Sequence, residues 1–280
     1  MANCKPISLV SLVFATVVSG IILEDMYPYP HNGTAGAEDQ LLKRTLDGSS
    51  PVINFNFKLF DDHYNTIYVN NNGHLSFFTA YAVYIPQNLP IPLPLIAVFW
   101  MDVDTRSTGE VWYRLTNDSD ILTRAQTDIA NYYDNQTTFQ PTKVFIVTWI
   151  DVHRLMFDAK CRNTFQIVLM TDGDRSFTMF HYLKIEWAGY ANNVTKAIVG
   201  FNAGDNNNSY TVNNTDFDDV INLEHRSNTG VPGRFLFSVD GNRIVAAGDE
   251  IISDHGQNVH NYQTYRKPSR RSQLQRVSCH

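Results

Sequence analysis

Two carboxylates one residue apart, Asp102 and Asp104, are the sharpest local chemistry in the chain. They follow the apolar run Leu95-Ile96-Ala97-Val98-Phe99-Trp100, and alternate residues of an extended strand lie on one face. Two carboxylates held side by side can take Ca²⁺ if a loop adds further oxygens. Arg106 offers a different outcome, because a guanidinium that close can neutralise one of them. Asp-x-Asp also occurs in metal-dependent sugar transferases, but alone it specifies no reaction. The plainer reading is a structural turn whose carboxylates accept hydrogen bonds from neighbouring groups.

The remaining polar clusters read as architecture. Asp205-Asn206-Asn207-Asn208-Ser209 has oxygens at alternate positions, like the opening of an EF-hand loop. Tyr210 stands where the sharp-turn glycine belongs, and the flanks are strand-like. A glycosylated hairpin turn fits better. Asp172-Gly173-Asp174 is hairpin chemistry. His63, His74, His153, His181 and His225 do not recur at zinc-ligand spacing. There is no Gly-x-Ser-x-Gly elbow and no phosphate-binding glycine loop. The expectation is a non-catalytic chain, with no cofactor beyond a Ca²⁺ ion at Asp102 and Asp104.

Covalent modification is better signposted. Asn-x-Ser/Thr sequons begin at Asn32, Asn117, Asn135, Asn193, Asn207 and Asn213, mostly in polar, turn-like stretches that suit N-glycosylation of a secreted chain. Residues 1–20 read as a signal peptide: Lys5, then an apolar run to Val18, then the small residues Ser19 and Gly20. The alternative is an uncleaved anchor. No other stretch is apolar for long enough to span a bilayer, so no membrane span is expected once the signal is removed. Cys4 falls in that signal, which leaves Cys161 and Cys279 for one disulfide, within the chain or to another chain.

The elements that must position these groups are mostly strands. Residues 21–50 form a polar, turn-rich leader whose aromatics can dock on the domain. Ile53, Phe55, Phe57 and Leu59 alternate with polar residues, a period of two. Asn70-Asn71-Asn72-Gly73 separates two β-prone runs and predicts a tight hairpin. Prolines 86, 90, 92 and 94 exclude 85–94 from a sheet. Leu95–Trp100 predicts a strand buried on both faces, with Gly109–Leu115 as its antiparallel neighbour. Residues 119–133 predict a helix capped by Ser119 or Asp120, with Leu122, Gln126, Ile129 and Tyr133 on one face. Further strands are expected at 143–150, 165–170, 176–180, 197–201, 209–212 and 234–239. Trp100, Trp112, Trp149 and Trp187 lie in or beside these strands and read as core. An exposed one would be a candidate carbohydrate contact. The fold class is mainly β, an antiparallel β-sandwich-like domain over 51–241 with one or two short helices and disordered tails.

Charge is uneven. The chain carries −6 overall, yet no acidic residue lies beyond Asp254, where Arg266, Lys267, Arg270, Arg271 and Arg276 gather. An acidic body argues against nucleic acid as a partner. The basic tail, within 242–280, can bind a polyanion such as a glycosaminoglycan, although a solvated tail is the simpler reading.

Several ordered motifs are similar to a known family. Phe99-Trp100-Met101-Asp102-Val103-Asp104-Thr105-Arg106, with Gly109-Glu110-Val111-Trp112-Tyr113-Arg114 after it, resembles the signature of the nidogen-like (NIDO) domain. Val147-Thr148-Trp149, Asn163-Thr164-Phe165-Gln166, Gly200-Phe201-Asn202 and Val231-Pro232-Gly233-Arg234-Phe235 resemble its later motifs. The resemblance covers about residues 50–241. It implies a secreted extracellular-matrix or cell–matrix adhesion module that binds matrix proteins or glycans, and it supplies no catalytic residues. The alternative carried beside it is a Ca²⁺-dependent, lectin-like glycan-binding domain centred on Asp102 and Asp104.

Overall fold

A computed structural model of the chain describes residues 20–31, 35–133, 138–155, 160–190, 195–212 and 220–249. The predicted signal and most of the basic tail lie outside them. In chain order the first strands are β1 (Gln40–Leu41), β2 (Ile53–Leu59), β3 (Asp62–Asn70), β4 (His74–Phe77), β5 (Leu95–Trp100), β6 (Val103–Asp104) and β7 (Glu110–Thr116). Helix α1 (Ser119–Ala130) follows. Then come β8 (Lys143–Arg154), β9 (Asn163–Thr171), β10 (Ser176–Lys184), β11 (Ile198–Asn202), β12 (Ser209–Thr211), β13 (Arg234–Ser238) and β14 (Val245–Ala246).

These strands form two antiparallel sheets, as the alternating pattern predicts. One runs β1-β7-β8-β9-β10-β13-β14, with β6 added beside β8; the other runs β12-β11-β5-β4-β3-β2. Their inner faces meet through aromatic pairs drawn one from each sheet. Phe55 meets Phe145 at 5.6 Å, Phe99 meets Phe165 at 5.3 Å, and Phe180 stacks on Phe201 at 5.4 Å. Each of these rings is fully buried, and burial of one phenylalanine is worth about 1.5–3 kcal/mol.

Both outer faces are also covered. On the larger sheet, α1 lays Ile121, Ala125 and Ile129 over Val144, Ile146, Val168 and Met170. On the smaller sheet, the proline-bearing connector lays Ile91, Leu89 and Leu93 over Leu95, Ala97 and Trp100. This second cover explains why β5 reads as a continuous apolar run: Ile96, Val98 and Phe99 face inward while Leu95, Ala97 and Trp100 face the connector. Among the described residues no helix is long and apolar enough to cross a membrane.

Three local expectations are corrected. Glu110–Thr116 does not pair with Leu95–Trp100. Both edges of β5 are occupied, by β4 and β11, and the chain crosses to the other sheet at Met101–Asp104, so β7 pairs with β8 and β1. The helix cap is Asp118, whose side chain accepts from the backbone N–H of Asp120 (3.0 Å) and Ile121 (3.1 Å). The buried face carries Ile129 and, just past the helix, Tyr133 as predicted, but its other members are Ile121 and Ala125, and Leu122 and Gln126 are half-buried. The leader docks an aromatic on the domain, as its composition allowed, but it also adds a strand that was not expected. Tyr27 is fully buried, and Gln40–Leu41 adds a short edge strand to β7.

The hairpin predicted at Asn70–Gly73 is present, and its turn is buried. Asn70, Asn71 and Asn72 have no exposed surface. The Asn71 side-chain amide donates to the carbonyls of Thr45 (3.3 Å), Leu46 and Val103 (2.8 Å), and its oxygen accepts from Gly48 N–H (2.8 Å). Asn72 accepts from Val103 N–H (2.9 Å) and donates to Asp47 (2.9 Å) and the Ala82 carbonyl (3.1 Å). The main chain joins in: Trp149 Nε1 donates to the Asn71 carbonyl (3.0 Å), and Met101 N–H to that of Asn72 (3.1 Å). Gly73 has φ 77°, and a Cβ there would stand 2.0 Å from the Phe99 carbonyl oxygen. No side chain fits.

His74 is fully buried beside this network, and His181 is fully buried against Gln166 and Tyr27. The short contact from His74 Nε2 to the Tyr81 carbonyl (2.6 Å) requires the proton on Nε2. Burial lowers its pKa from 6.5 to about 4. Burial also lowers that of His181, helped by the charges of Arg234 and Arg124.

Two predictions follow from this packing. Asn71→Ala strands several buried groups and lowers unfolding free energy by about 2–4 kcal/mol, while Gly73→Ala fails to reach the native fold; urea titration of the secreted protein measures both. The histidines give a pH dependence of definite sign. Their folded pKa values lie below the unfolded one, so the unfolded chain binds more protons as pH falls. For His74 the stability is complete above about pH 6.5 and declines toward about pH 4, by about 1.4 kcal/mol per pH unit; His181 acts in the same direction. Urea midpoints near pH 7.5 and near pH 5 read this difference, and His74→Gln shrinks it.

Candidate functional site

The crossover from one sheet to the other carries the Asp-x-Asp pair. Its backbone is held from both sides. Asn72 and Asn71 bind Met101, Val103 N–H and the Val103 carbonyl, and β6 pairs Val103 with Arg154 and Asp104 with His153. The two carboxylates then take separate partners.

Asp104 is gripped by Arg106. Its Oδ1 accepts from Arg106 N–H (2.9 Å) and Nε (3.0 Å), and its Oδ2 from Nη2 (2.8 Å). These charge-assisted bonds hold the Asp104 carboxyl below its ordinary pKa, with His153 adding to the effect. Asp102 is 1% exposed. Its Oδ2 accepts from the Tyr190 hydroxyl at 2.5 Å, and its Oδ1 is buried without a hydrogen-bond partner. Burial raises its pKa, and the nearby charges of Asp47 and Asp104 push the same way, against the Tyr190 hydroxyl. Tyr190 is itself held by the Gly189–Lys196 bridge, where its N–H donates to the Thr195 carbonyl (3.0 Å).

Sequence spacing gave no sign of a contact made across 46 residues. His153 Nδ1 donates to the Arg154 carbonyl (3.0 Å), which leaves Nε2 to accept from Ser107 Oγ (3.2 Å). A hydroxyl beside a basic nitrogen is the start of a nucleophilic pair. Here the outer nitrogen rests on a backbone carbonyl, and Asp104 is engaged by Arg106. An open groove of about 500 Å³ lies elsewhere, on the outer face of the larger sheet, bordered by Tyr29, His31, Glu110, Asp151 and Lys184. Among the described residues no group of three or more His, Cys, Asp or Glu is gathered as a metal ion would need.

The other residues singled out are placed as follows. Asn117, just ahead of α1, and Asn207, in the β11–β12 turn, are exposed. Asn32, Asn135, Asn193 and Asn213 lie outside the described residues. Cys161 is buried and disulfide-bonded; Cys4 and Cys279 lie outside the described residues. Trp100, Trp149 and Trp187 are core, and Trp112 is half-buried with Nε1 on Glu110 (2.8 Å).

The motif residues hold irregular chain in place. Gln166 brackets both backbone groups of Tyr27, at 2.8 and 2.9 Å. Asn163 binds Glu186 and Trp187, and Asn202 binds Ile91 and Leu93 of the connector.

Tyr190→Phe tests the crossover. It removes the only hydrogen-bond donor to this buried carboxylate among the described residues, so it costs about 1–3 kcal/mol at neutral pH. Asp102 binds its proton more readily folded than unfolded, so the cost shrinks as pH falls and the carboxyl becomes neutral. Thermal melts of both proteins across that range read the difference, and a pH-independent cost would contradict an ionised Asp102.

Comparison with known proteins agrees with this architecture. Mouse (Mus musculus) alpha-tectorin is 37% identical over 235 residues, covering 79% of this chain and 11% of alpha-tectorin. Nidogen of Drosophila melanogaster is 28% identical over 243 residues, covering 82% of this chain and 18% of nidogen. Mouse mucin-4 is 27% identical over 198 residues, covering 64% of this chain and 6% of mucin-4. The chain thus spans under a fifth of the length of each. No solved structure matches. The model of the nidogen-like domain matches residues 65–241, which is more than half the chain and takes in the crossover and each buried amide bracket from Asn71 to Asn202; the chain belongs to the nidogen-like domain family.

Proposed function

We propose that the chain is a secreted, N-glycosylated extracellular-matrix or cell–matrix adhesion module that binds protein or glycan and performs no catalysis. The observation that carries this reading is the use made of the polar motif residues. Asn71, Asn72, Asn163, Gln166, Asn202 and Asp104 are buried and engaged in holding chain segments, which leaves recognition to the outer surface. Family membership supports the same reading, since the nidogen-like resemblance implies large extracellular mosaic proteins. The basic tail (Arg266, Lys267, Arg270, Arg271 and Arg276) is proposed to add contacts to a polyanion.

A Ca²⁺-dependent, lectin-like activity is the second reading, and one observation favours it: the buried, unpartnered Oδ1 of Asp102. The grip of Arg106 on both oxygens of Asp104 weighs against it.

Expression through a mammalian secretory pathway tests both readings. Mass spectrometry of the non-reduced product is expected to find the first twenty or so residues removed, sequons occupied and Cys161 oxidised. The purified protein is expected to bind immobilised matrix proteins with or without a chelator, and to lose retention on heparin when the five basic tail residues are neutralised. A cytosolic, unmodified product contradicts the first reading. Binding that needs Ca²⁺, and a melting temperature that Ca²⁺ raises in the wild type but not in Asp104→Ala, favours the second.

A further inference from the structure

Phe78 is the most exposed large apolar side chain among the described residues, at 65%. Its backbone is also unusual. It has φ 67°, and Thr79 N–H donates to the Phe77 carbonyl (2.9 Å), closing a three-residue γ-turn centred on Phe78. A non-glycine residue rarely holds that conformation unless something nearby compensates for it. The ring meets Tyr64 edge-on, 5.0 Å between centroids, and otherwise faces solvent.

The β11–β12 turn is anchored to the same spot through two separate contacts. The Tyr64 hydroxyl donates to the Ala203 carbonyl (3.4 Å). Pro94 accepts from Phe77 N–H (3.1 Å) and abuts Gly204, where a Cβ would stand 2.5 Å from Pro94 Cδ. The turn thus starts against Tyr64, the ring that Phe78 meets, and Pro94, which binds Phe77, and it runs on into the sequon Asn207-Asn208-Ser209. Asp205 fixes the turn by accepting from Asn207 N–H (2.8 Å) and Asn208 N–H (2.7 Å), and Asn207 is exposed.

We propose that Asn207 carries an N-linked glycan whose first N-acetylglucosamine lies against the exposed face of Phe78. An N-acetylhexosamine presents polarised C–H groups and an acetyl methyl, which complement the negative face of an aromatic ring. Covering the ring removes apolar surface from water and offsets the cost of the strained turn. Attachment joins Asn207 Nδ2 to C1 of the sugar as C1 leaves the diphosphate of a lipid-linked oligosaccharide, with the displaced amide proton lost to base. Phe78 thereby becomes a docking platform for the chain's own modification, and the β11–β12 end of the smaller sheet becomes a glycan-covered face closed to protein partners. This inference rests on the secretory reading above.

The test is a double-mutant cycle on protein secreted from mammalian cells, made of the wild type, Ser209→Ala, Phe78→Ala and the double variant, with occupancy at Asn207 read by glycopeptide mass spectrometry. Ser209→Ala removes the sequon and leaves Asn207 and the Asp205 turn in place. It is expected to lower the melting temperature by about 2–4 °C when Phe78 is present and to have no effect in the Phe78→Ala background. Ser209→Thr, which keeps the sequon, is expected to melt with the wild type. A nuclear Overhauser contact between the acetyl methyl and the Phe78 ring is expected in the wild type alone. An empty Asn207 beside other occupied sequons overturns this inference and spares the secretory reading; no glycan at any sequon overturns both. Additive losses in the cycle, with Asn207 occupied, overturn the stacking.

Discussion

The constraint on which this structure depends is the need to satisfy backbone groups where the chain leaves its sheets. Two covered sheets bury their connections as well as their strands, and a buried N–H or carbonyl without a partner costs about 1–3 kcal/mol. Side-chain amides meet that need here, because a carboxamide offers both a donor and an acceptor, as a peptide group does. Asn71 and Asn72 hold the leader and the crossover, Gln166 holds Tyr27, Asn163 holds Glu186 and Trp187, and Asn202 holds the connector. Without the Asn202 bracket the connector would lose its polar anchors over β5, whose second apolar face it lines.

The same economy decides what the Asp-x-Asp pair can do. Its backbone is fixed by the asparagine turn, and its side chains diverge, one to Arg106 at the surface and one to Tyr190 inside. An open metal site would need both carboxylates facing one space with free lone pairs. Arg106 occupies three of the four lone-pair sites of Asp104 and engages both its oxygens, whereas Asp102 Oδ1 has no hydrogen-bond partner. The crossover works as a joint between the two sheets.

Much of the sheet architecture was legible in one dimension. Alternation marked β2, two-sided burial marked β5, and the glycines at 73 and 173 marked their hairpins. What could not be read was which groups lie above a given turn. Asn-Asn-Asn-Gly has the composition of a solvent turn, and only the third dimension places the leader and the crossover over it. The pairing of β7 was misjudged for a related reason: adjacency in sequence favours a hairpin, but β5 already had two neighbours. The helix cap fell one residue earlier than expected because Asp118, Ser119 and Asp120 are all competent caps, and it is the Asp118 carboxylate that reaches the free N–H groups of Asp120 and Ile121. The Ser107–His153 contact and the Asp102–Tyr190 pair join segments far apart in the chain and have no local signature. Of the site residues, the sequons and cysteines were legible as types, and the two aspartates were legible as a pair whose partners were not.

Hydrogen exchange on Asn202→Ala measures the bracket most directly. Ile91 N–H donates to the Asn202 side chain at 3.0 Å, and the Asn202 amide donates to the Ile91 and Leu93 carbonyls at 2.7 Å each. The account predicts that the connector around Ile91 loses its protection while the strands of the larger sheet keep theirs. Unchanged protection at Ile91 would show that the connector is held by apolar contact alone, and would contradict the role given to the buried amides.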